Sequence, residues 1–155
     1  MVNPTEVDMR CLDHTIGYLK ATRDKKIRFV LQPAKTRNLL SACSDAAFAN
    51  AERARSQGGY GVWFNGGIIA WQSSVLKYTS LSTFEAELCS ALSAAREITY
   101  LRNLIAEMGT PQPAPTPLQV DASTVESFFN KAMVTDRNKH INAKCFHLRD
   151  QQERC

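Results

Sequence analysis

The sequence has no long hydrophobic run, and its few cysteines are scattered. No apolar stretch approaches the roughly 18–20 residues that a membrane-spanning helix needs, and the opening residues MVNPTEVDMR lack the apolar core of a signal peptide. Five cysteines, an odd number spread along the chain, are not typical of a disulfide framework or a zinc module. We therefore expect no membrane partner, and a cytoplasmic or nuclear protein that is not secreted.

The composition is that of an ordinary globular domain. A chain of 155 residues with 44% hydrophobic and 22% charged residues can bury one core, so disorder throughout is not expected. The formal net charge of +4 is only mildly basic. It permits a polyanionic partner but does not by itself indicate one.

Residues 1–23 carry a loose helical stripe of apolar side chains, and several basic residues follow. A small amphipathic helix with a solvated basic end explains this pattern, and so does a helix whose basic end faces nucleic-acid phosphates. Residues 27–31 (IRFVL) then predict a short strand, because Pro33 would end it.

Three further strands are predicted in the middle of the chain. Residues 38–44 are apolar and end at Asp45, while residues 60–64 and 68–72 flank the tight-turn sequence Asn65-Gly66-Gly67. The hairpin runs are almost continuously apolar, which predicts strands covered on both faces. Their aromatic residues are expected to pack in the core or on the sheet rather than to bind ligands: Trp63, Phe64 and Trp71.

A long helix is predicted over residues 83–108. Ser82 and Glu85 form a capping-box signature, and Gly109 is a good stop residue. At about 100° per residue, Glu87 lies about 40° from the centre of the apolar face, whereas Glu85 falls on its rim and is explained by capping. A buried carboxylate must be paired, protonated or bound to a cation, so Glu87 is a candidate functional residue.

The proline-rich residues 110–117 predict a stiff extended spacer. A brief strand over residues 118–120 follows, ending at Asp121, and residues 123–132 read as a helix. This order predicts an α/β fold with a mixed sheet, in which the two hairpin strands are followed by the first strand and then by the strand before Asp121.

Asp45 and Asp121 each stand at the end of a predicted strand. Capping of the following turn or helix explains either residue alone. Together with Glu87, the two aspartates could instead converge on Mg²⁺, a hard cation that prefers oxygen ligands.

Five segments, in the same order and at similar spacing, resemble the ribonuclease H domain of copia-type retrotransposon polyproteins. The segment SDAAFANAERARSQGGYGVWFNGGIIAWQSS is similar to the family's first aspartate and hairpin, and LSTFEAELCSALSAAREITYLRNLIAEMG to its LSSTEAEY helix. PLQVDASTVESFFNK and TDRNKHINAKCFHLRD resemble its CDNQSA and RTKHIDIRYHFIRE segments. VDMRCLDHTIGYLKATRDKKIRFV looks like the segment that follows the reverse transcriptase.

This resemblance implies a ribonuclease H-like mixed sheet with flanking helices, lacking the last strand and helix. Residues 1–34 would be a connection segment, and residues 35–155 a C-terminally incomplete ribonuclease H-like domain. The implied activity is endonucleolytic, Mg²⁺-dependent hydrolysis of RNA in RNA–DNA hybrids during reverse transcription. Asp45, Glu87 and Asp121 would be catalytic and would hold two Mg²⁺ ions, with Mn²⁺ as a substitute. The implied partners are the hybrid and the reverse transcriptase portion of the same polyprotein.

The chain departs from the family pattern in two ways. The family's fourth acid lies in a later segment that the sequence does not reach, and Asn142 stands where the family has an aspartate. We therefore expect impaired cleavage. The alternative is a catalytically inactive nucleic-acid-binding or structural remnant of a retrotransposon polyprotein.

The basic segment near the C-terminus supplies the remaining candidates. Arg137, Lys139 and His140 could contact a nucleic-acid backbone, and solvated surface charges explain them equally well. His140, Cys145 and His147 match no usual zinc spacing.

Overall fold

The computed structural model describes residues 3–35 and 37–120. Asp121 and the candidate contacts Arg137, Lys139 and His140 lie outside the described residues, as does the helix predicted over residues 123–132. The described elements are two helices, four strands and a short 3₁₀ turn at Glu52–Ala54, in the order α1 (Glu6–Ala21), β1 (Leu40–Ala47), β2 (Gln57–Phe64), β3 (Gly67–Val75), α2 (Thr83–Glu107) and β4 (Leu118–Val120).

The four strands form one mixed sheet in the order β3-β2-β1-β4. The β1–β2 and β2–β3 pairs are antiparallel, whereas β1 and β4 are parallel. The predicted strand order and the α/β class are therefore confirmed, and the architecture is consistent with a ribonuclease H-like fold.

The β2–β3 hairpin turns where the sequence predicted. Asn65 and Gly66 have φ values of 51° and 75°, the left-handed pair that a two-residue hairpin turn requires. The Asn65 side chain also locks the turn to the residues before β1, because its Oδ1 accepts from the Asn38 backbone N–H (2.7 Å) and its Nδ2 donates to Asn38 Oδ1 (3.0 Å). The turn therefore fixes both the hairpin register and the entry into β1.

The core lies between one face of the sheet and α2. Its buried cluster combines residues from β1, β2 and the second half of α2: Leu40, Ala42, Val62, Ile98, Leu101 and Ile105. A fully buried side chain of the size of leucine or isoleucine contributes about 1.5–3 kcal/mol by leaving water. The apolar stripe predicted for α2 is largely correct, because Ile98 and Ile105 belong to this cluster. Gly109 follows the helix with a left-handed φ of 82°, as expected of a residue that ends a helix.

Residues 27–31 do not form the predicted strand. Val30 donates a backbone hydrogen bond to the carbonyl of Asn65 (3.1 Å), so this segment docks on the hairpin turn and not along a strand. Leu31 is 81% exposed. The strand prediction for residues 27–31 is therefore wrong, because a strand must pair with a neighbouring strand as well as contain suitable residues.

The prediction that both faces of the hairpin are covered is wrong for β3. Trp71 is 64% exposed, because α2 covers one face of the sheet and β3 lies at its edge. Phe64 packs against the core cluster. The ring of Trp63 lies over Gly61, where an added Cβ would come within 2.5 Å of it. The prediction that these aromatic residues pack in the core or on the sheet is thus confirmed for Trp63 and Phe64 and wrong for Trp71.

Helix α1 confirms the helix predicted near the N-terminus, although none of its residues is buried. Thr5 and Asp8 form a capping box: the Asp8 carboxylate accepts from the Thr5 N–H (2.7 Å), and Thr5 Oγ1 accepts from the Asp8 N–H (3.3 Å). These hydrogen bonds lower the pKa of Asp8. Within residues 3–35 and 37–120, neither helix has the length and apolar character to cross a bilayer. The predicted boundary after residue 34 stays a prediction.

Candidate active site

Asp45 lies inside β1 rather than at its end. The ladder with β2 continues through the pairs Asp45–Gly59, Ala46–Gly58 and Ala47–Gln57, so the prediction that the strand ends at Asp45 is wrong. Burial alternates along the strand: Ser44 belongs to the buried set, whereas Asp45 is exposed. The Asp45 carboxylate accepts a hydrogen bond from the backbone N–H of Ala46 (2.8 Å). Solvent and a ligand can therefore reach this side chain.

Glu87 is buried on α2, as the position of its side chain on the helical wheel predicted. It is only 5% exposed, and its neighbours in sequence, Ala86 and Leu88, are fully buried. An acid enclosed in this way is uncommon, because an uncompensated buried charge is costly. The sequence prediction that Glu87 lies on the buried face is confirmed.

Glu85 is also buried, which corrects its predicted place on the rim of α2. Its backbone N–H donates to Ser82 Oγ (3.1 Å), and its Oε2 accepts from the backbone N–H of Leu81 (2.9 Å). Ser82 thus caps α2 as predicted, and the Glu85 carboxylate bonds the residue before the N-cap. The residues before α2 contact its first turns at two points, through the Leu81 N–H and through the hydroxyl of Tyr78, which contacts the Sγ of Cys89.

Ser90 joins α2 to the sheet at the level of Asp45. Its hydroxyl lies within hydrogen-bonding distance of the carbonyl oxygens of Asp45 (2.8 Å) and Gly59 (2.7 Å), and it accepts from the Gly59 N–H (3.1 Å). A Cβ at Gly58 would lie 3.6 Å from the Ser90 Cβ, an ordinary van der Waals contact, so the helix packs directly on the strand at this point. Sequence reasoning missed Ser90, although a hydroxyl within the apolar stripe of α2 was a usable signal.

The direction of α2 determines where Glu87 lies relative to the strands. The second half of α2 packs in the cluster that holds the first residues of β1, while Ser90, nearer the helix start, contacts Asp45. Helix and strand are therefore antiparallel. Glu87 lies three residues before Ser90, about 4.5 Å closer to the start of the helix. This places Glu87 at the end of the sheet toward which β1 runs.

Strand β4 ends at the same end of the sheet. It runs parallel to β1, with Ser44 paired to Val120, the last residue of β4. Asp121 follows Val120 in sequence and lies outside the described residues, so the predicted clustering of Asp45, Glu87 and Asp121 stays a prediction. Among residues 3–35 and 37–120, no group of three His, Cys, Asp or Glu residues could hold a metal ion.

The proline-rich segment before β4 is docked against the helix and β1, which goes beyond the predicted spacer role. The guanidinium of Arg102 donates to the carbonyl of Ala114 (2.7 Å), to Thr116 Oγ1 (3.1 Å) and to the carbonyl of Gln112 (3.4 Å). The Gln112 side chain accepts from the backbone N–H of Leu40 (2.9 Å) and donates to the carbonyl of Asn38 (2.8 Å). These contacts fix the point at which β4 joins β1.

Comparison with known proteins finds similarity to retrotransposon polyproteins. The chain is 27% identical over 149 residues to the Retrovirus-related Pol polyprotein from transposon TNT 1-94 of Nicotiana tabacum, a match that covers 96% of the chain and 11% of that protein. It is 29% identical over 137 residues to the Transposon Ty1-DR1 Gag-Pol polyprotein of Saccharomyces cerevisiae, with 88% and 8% covered. The Ty1-NL2 Gag-Pol polyprotein of the same yeast is 30% identical over 138 residues, also with 88% and 8% covered.

The chain spans about a tenth of the length of these curated relatives. No protein-family model matches it, and no solved structure gives a significant match. The similarity to Pol and Gag-Pol polyproteins over most of the chain supports its origin in a retrotransposon polyprotein.

Proposed function

We propose that this chain is a ribonuclease H-type endonuclease module that cleaves the RNA strand of an RNA–DNA hybrid with Mg²⁺. The observation that carries the proposal is the placement of exposed Asp45 and buried Glu87 at one end of a mixed sheet, where β4 also ends just before Asp121. The similarity to Pol polyproteins supports a setting in which RNA–DNA hybrids are formed.

The donor chemistry at this end of the sheet fits Mg²⁺. Asp45 and Glu87 offer carboxylate oxygens, the ligands that this hard cation prefers, and the burial of Glu87 removes its carboxylate from competing bulk water. Asp45, Glu87 and Asp121 would hold the metal. When bound, Mg²⁺ would lower the pKa of an attacking water and stabilise the leaving oxygen.

The protein residues divide the work by their burial. Asp45 is exposed, so a scissile phosphate can approach it without local unfolding. Glu87 is enclosed, where electrostatic attraction to a cation is screened less than at the surface. Ser90 holds the two backbones in register, because it hydrogen-bonds the Asp45 carbonyl from a position one turn away from Glu87 on the same helix.

The test is cleavage of a labelled RNA–DNA hybrid followed by gel electrophoresis, in Mg²⁺ and in Mn²⁺. We expect slow cleavage in millimolar Mg²⁺ and faster cleavage in Mn²⁺, which binds mixed ligand sets more tightly. Asp45→Asn and Glu87→Gln should reduce the rate at least about 100-fold, since each removes a charge that the transition state requires. Glu107→Gln, an exposed substitution on the same helix, is the matched control.

Two outcomes would contradict the proposal. Cleavage that survives Asp45→Asn would show that the nuclease site lies elsewhere. Hybrid binding without cleavage in either metal would replace the proposal with the inactive nucleic-acid-binding remnant.

A further inference from the structure

The positive charge of the chain is concentrated in one short segment. Residues 25–44 contain five basic residues and no acidic one, whereas the other 14 basic and 15 acidic residues nearly balance. The five cations lie between residues 25 and 37, a stretch that we call the hairpin-side basic segment, and all are exposed: Lys25, Lys26, Arg28, Lys35 and Arg37. Within residues 3–35 and 37–120, no carboxylate lies at ion-pair distance from any of them.

The hairpin-side basic segment is held against the hairpin turn by uncharged contacts. Val30 donates its backbone N–H to the Asn65 carbonyl. The Phe29 ring covers Gly67 so closely that an added Cβ would come within 2.5 Å of it, and Gln32 Nε2 lies against Gly66. Within the segment, Arg37 Nε also donates to the carbonyl of Gln32 (3.3 Å). The contacts with the hairpin turn itself are made by Phe29, Val30 and Gln32 and involve no charged group.

The hairpin-side basic segment lies at the opposite end of β1 from the acidic residues. The hairpin turn on which the segment docks adjoins the Leu40–Phe64 pair, the first pair of the β1–β2 ladder. Asp45 is five residues further along β1. At about 3.4 Å per residue, the separation along the strand is about 17 Å, or about five base pairs of a duplex. A duplex longer than about five base pairs is therefore long enough to cover the separation between the hairpin turn and Asp45.

We propose that the hairpin-side basic segment binds the phosphate backbone of the RNA–DNA hybrid on the side of the cleavage site toward the hairpin turn. The identity of the duplex rests on the proposed function, whereas the attraction to phosphates rests on the exposed cations. Binding would release the counterions condensed on the duplex, so the affinity should fall steeply with salt. The segment contributes affinity and register, and the carboxylates contribute chemistry.

The test measures fluorescence anisotropy of a labelled RNA–DNA hybrid with the full chain in EDTA, over a series of salt concentrations. Lys26→Gln with Arg28→Gln removes two cations and leaves the contacts of Phe29, Val30 and Gln32 intact. Arg10→Gln with Arg96→Gln removes the same charge from exposed positions on α1 and α2. Circular dichroism confirms that both double variants are folded.

We expect the Lys26/Arg28 variant to bind at least about tenfold more weakly at 0.1 M salt, with the slope of log affinity against log salt reduced by about two. The Arg10/Arg96 control should keep the wild-type slope. An unchanged slope in the Lys26/Arg28 variant, an equal loss in the control, or absence of hybrid binding by the wild-type chain would overturn the proposal.

The assay separates this proposal from the nuclease assignment, because it contains no divalent metal. Salt-sensitive binding through the hairpin-side basic segment in a chain that never cleaves would uphold the binding surface and reject the nuclease. Cleavage with a salt slope unaffected by the Lys26/Arg28 substitution would uphold the nuclease and reject the binding surface. Equal affinity for duplex DNA would keep the phosphate contact and remove its selectivity for the hybrid.

Discussion

The hydroxyl of Ser90 hydrogen-bonds the backbone carbonyl of Asp45 at 2.8 Å, and so ties the helix that carries Glu87 to the strand that carries Asp45. The same hydroxyl reaches both the N–H and the carbonyl of Gly59 on the neighbouring strand. One buried side chain therefore sets the register of α2 against two strands. The relative position of the two candidate catalytic acids depends on that register.

Ser90→Ala should destabilise the fold by about 1–3 kcal/mol, because it removes the hydroxyl that contacts three part-buried backbone groups of Asp45 and Gly59. Urea denaturation followed by circular dichroism measures the change. Ser93→Ala is the control, since the Ser93 hydroxyl donates to the carbonyl of Cys89 on its own helix and not to a strand. A Ser90 variant as stable as the Ser93 variant would contradict the role assigned to Ser90.

Glu85 and Glu87 are both buried at the start of α2 but should respond differently to metal. Glu87→Gln should remove the rise in melting temperature that Mg²⁺ or Mn²⁺ causes, because a ligand that binds the folded state stabilises it. Glu85→Gln should lower the stability by about 1 kcal/mol through the weakened hydrogen bond to Leu81 N–H, yet keep the response to metal. Differential scanning fluorimetry with increasing metal distinguishes the two, and a reversed pattern would assign the metal site to Glu85.

Arg102→Ala should release the proline-rich segment from α2. The variant loses hydrogen bonds to Ala114, Thr116 and Gln112, and we expect a loss of about 1–3 kcal/mol in stability together with faster amide exchange in β1 next to β4. Arg96→Ala, on an exposed position of the same helix, should change neither quantity appreciably. Unaltered exchange at Ala42, whose N–H donates to the Pro117 carbonyl, would show that Arg102 does not hold β4 in place.

Tyr60 should titrate above its ordinary pKa of 10.0, because partial burial and the negative charge of Glu97, which its hydroxyl hydrogen-bonds at 3.3 Å, both raise the pKa. The folded value exceeds the unfolded one, so the stabilisation is fully present below about pH 10 and is lost as the pH rises through the folded pKa. Glu97→Gln should lower the pKa of Tyr60 but not restore the ordinary value, since burial remains. The phenolate absorbance difference between each protein and its Tyr60→Phe variant measures the shift, and an unchanged midpoint would exclude the influence of Glu97.

Local sequence signals predicted the hairpin and the long helix well. Asn65 and Gly66 adopt the left-handed conformation that few other residue types tolerate, and Ser82 and Gly109 mark the ends of α2 through backbone chemistry that acts within a few residues. The burial of Glu87 was also predictable, because the helical period alone places residue 87 beside Ala91 and Ile98.

Other features depended on contacts between distant segments. Residues 27–31 have the composition of a strand, but the position they dock on is a turn, so no ladder forms. The Glu85 carboxylate is bonded by the backbone of Leu81 before the helix. The proline-rich segment is fixed because Arg102 bonds its backbone and Gln112 bonds the backbone at the start of β1. Neither event leaves a periodic signal in the sequence.

The sequence by itself determined which residues form the hairpin and α2, and which acid on that helix faces inward, because turn chemistry, capping and helical periodicity are local. Only the tertiary structure decided that Ser90 would join Asp45 to the helix of Glu87, and that residues 29–32 would dock on the hairpin turn, at the other end of β1 from Asp45. Both outcomes follow from strand register and helix direction, which are set by the packing of the whole core and not by any segment alone.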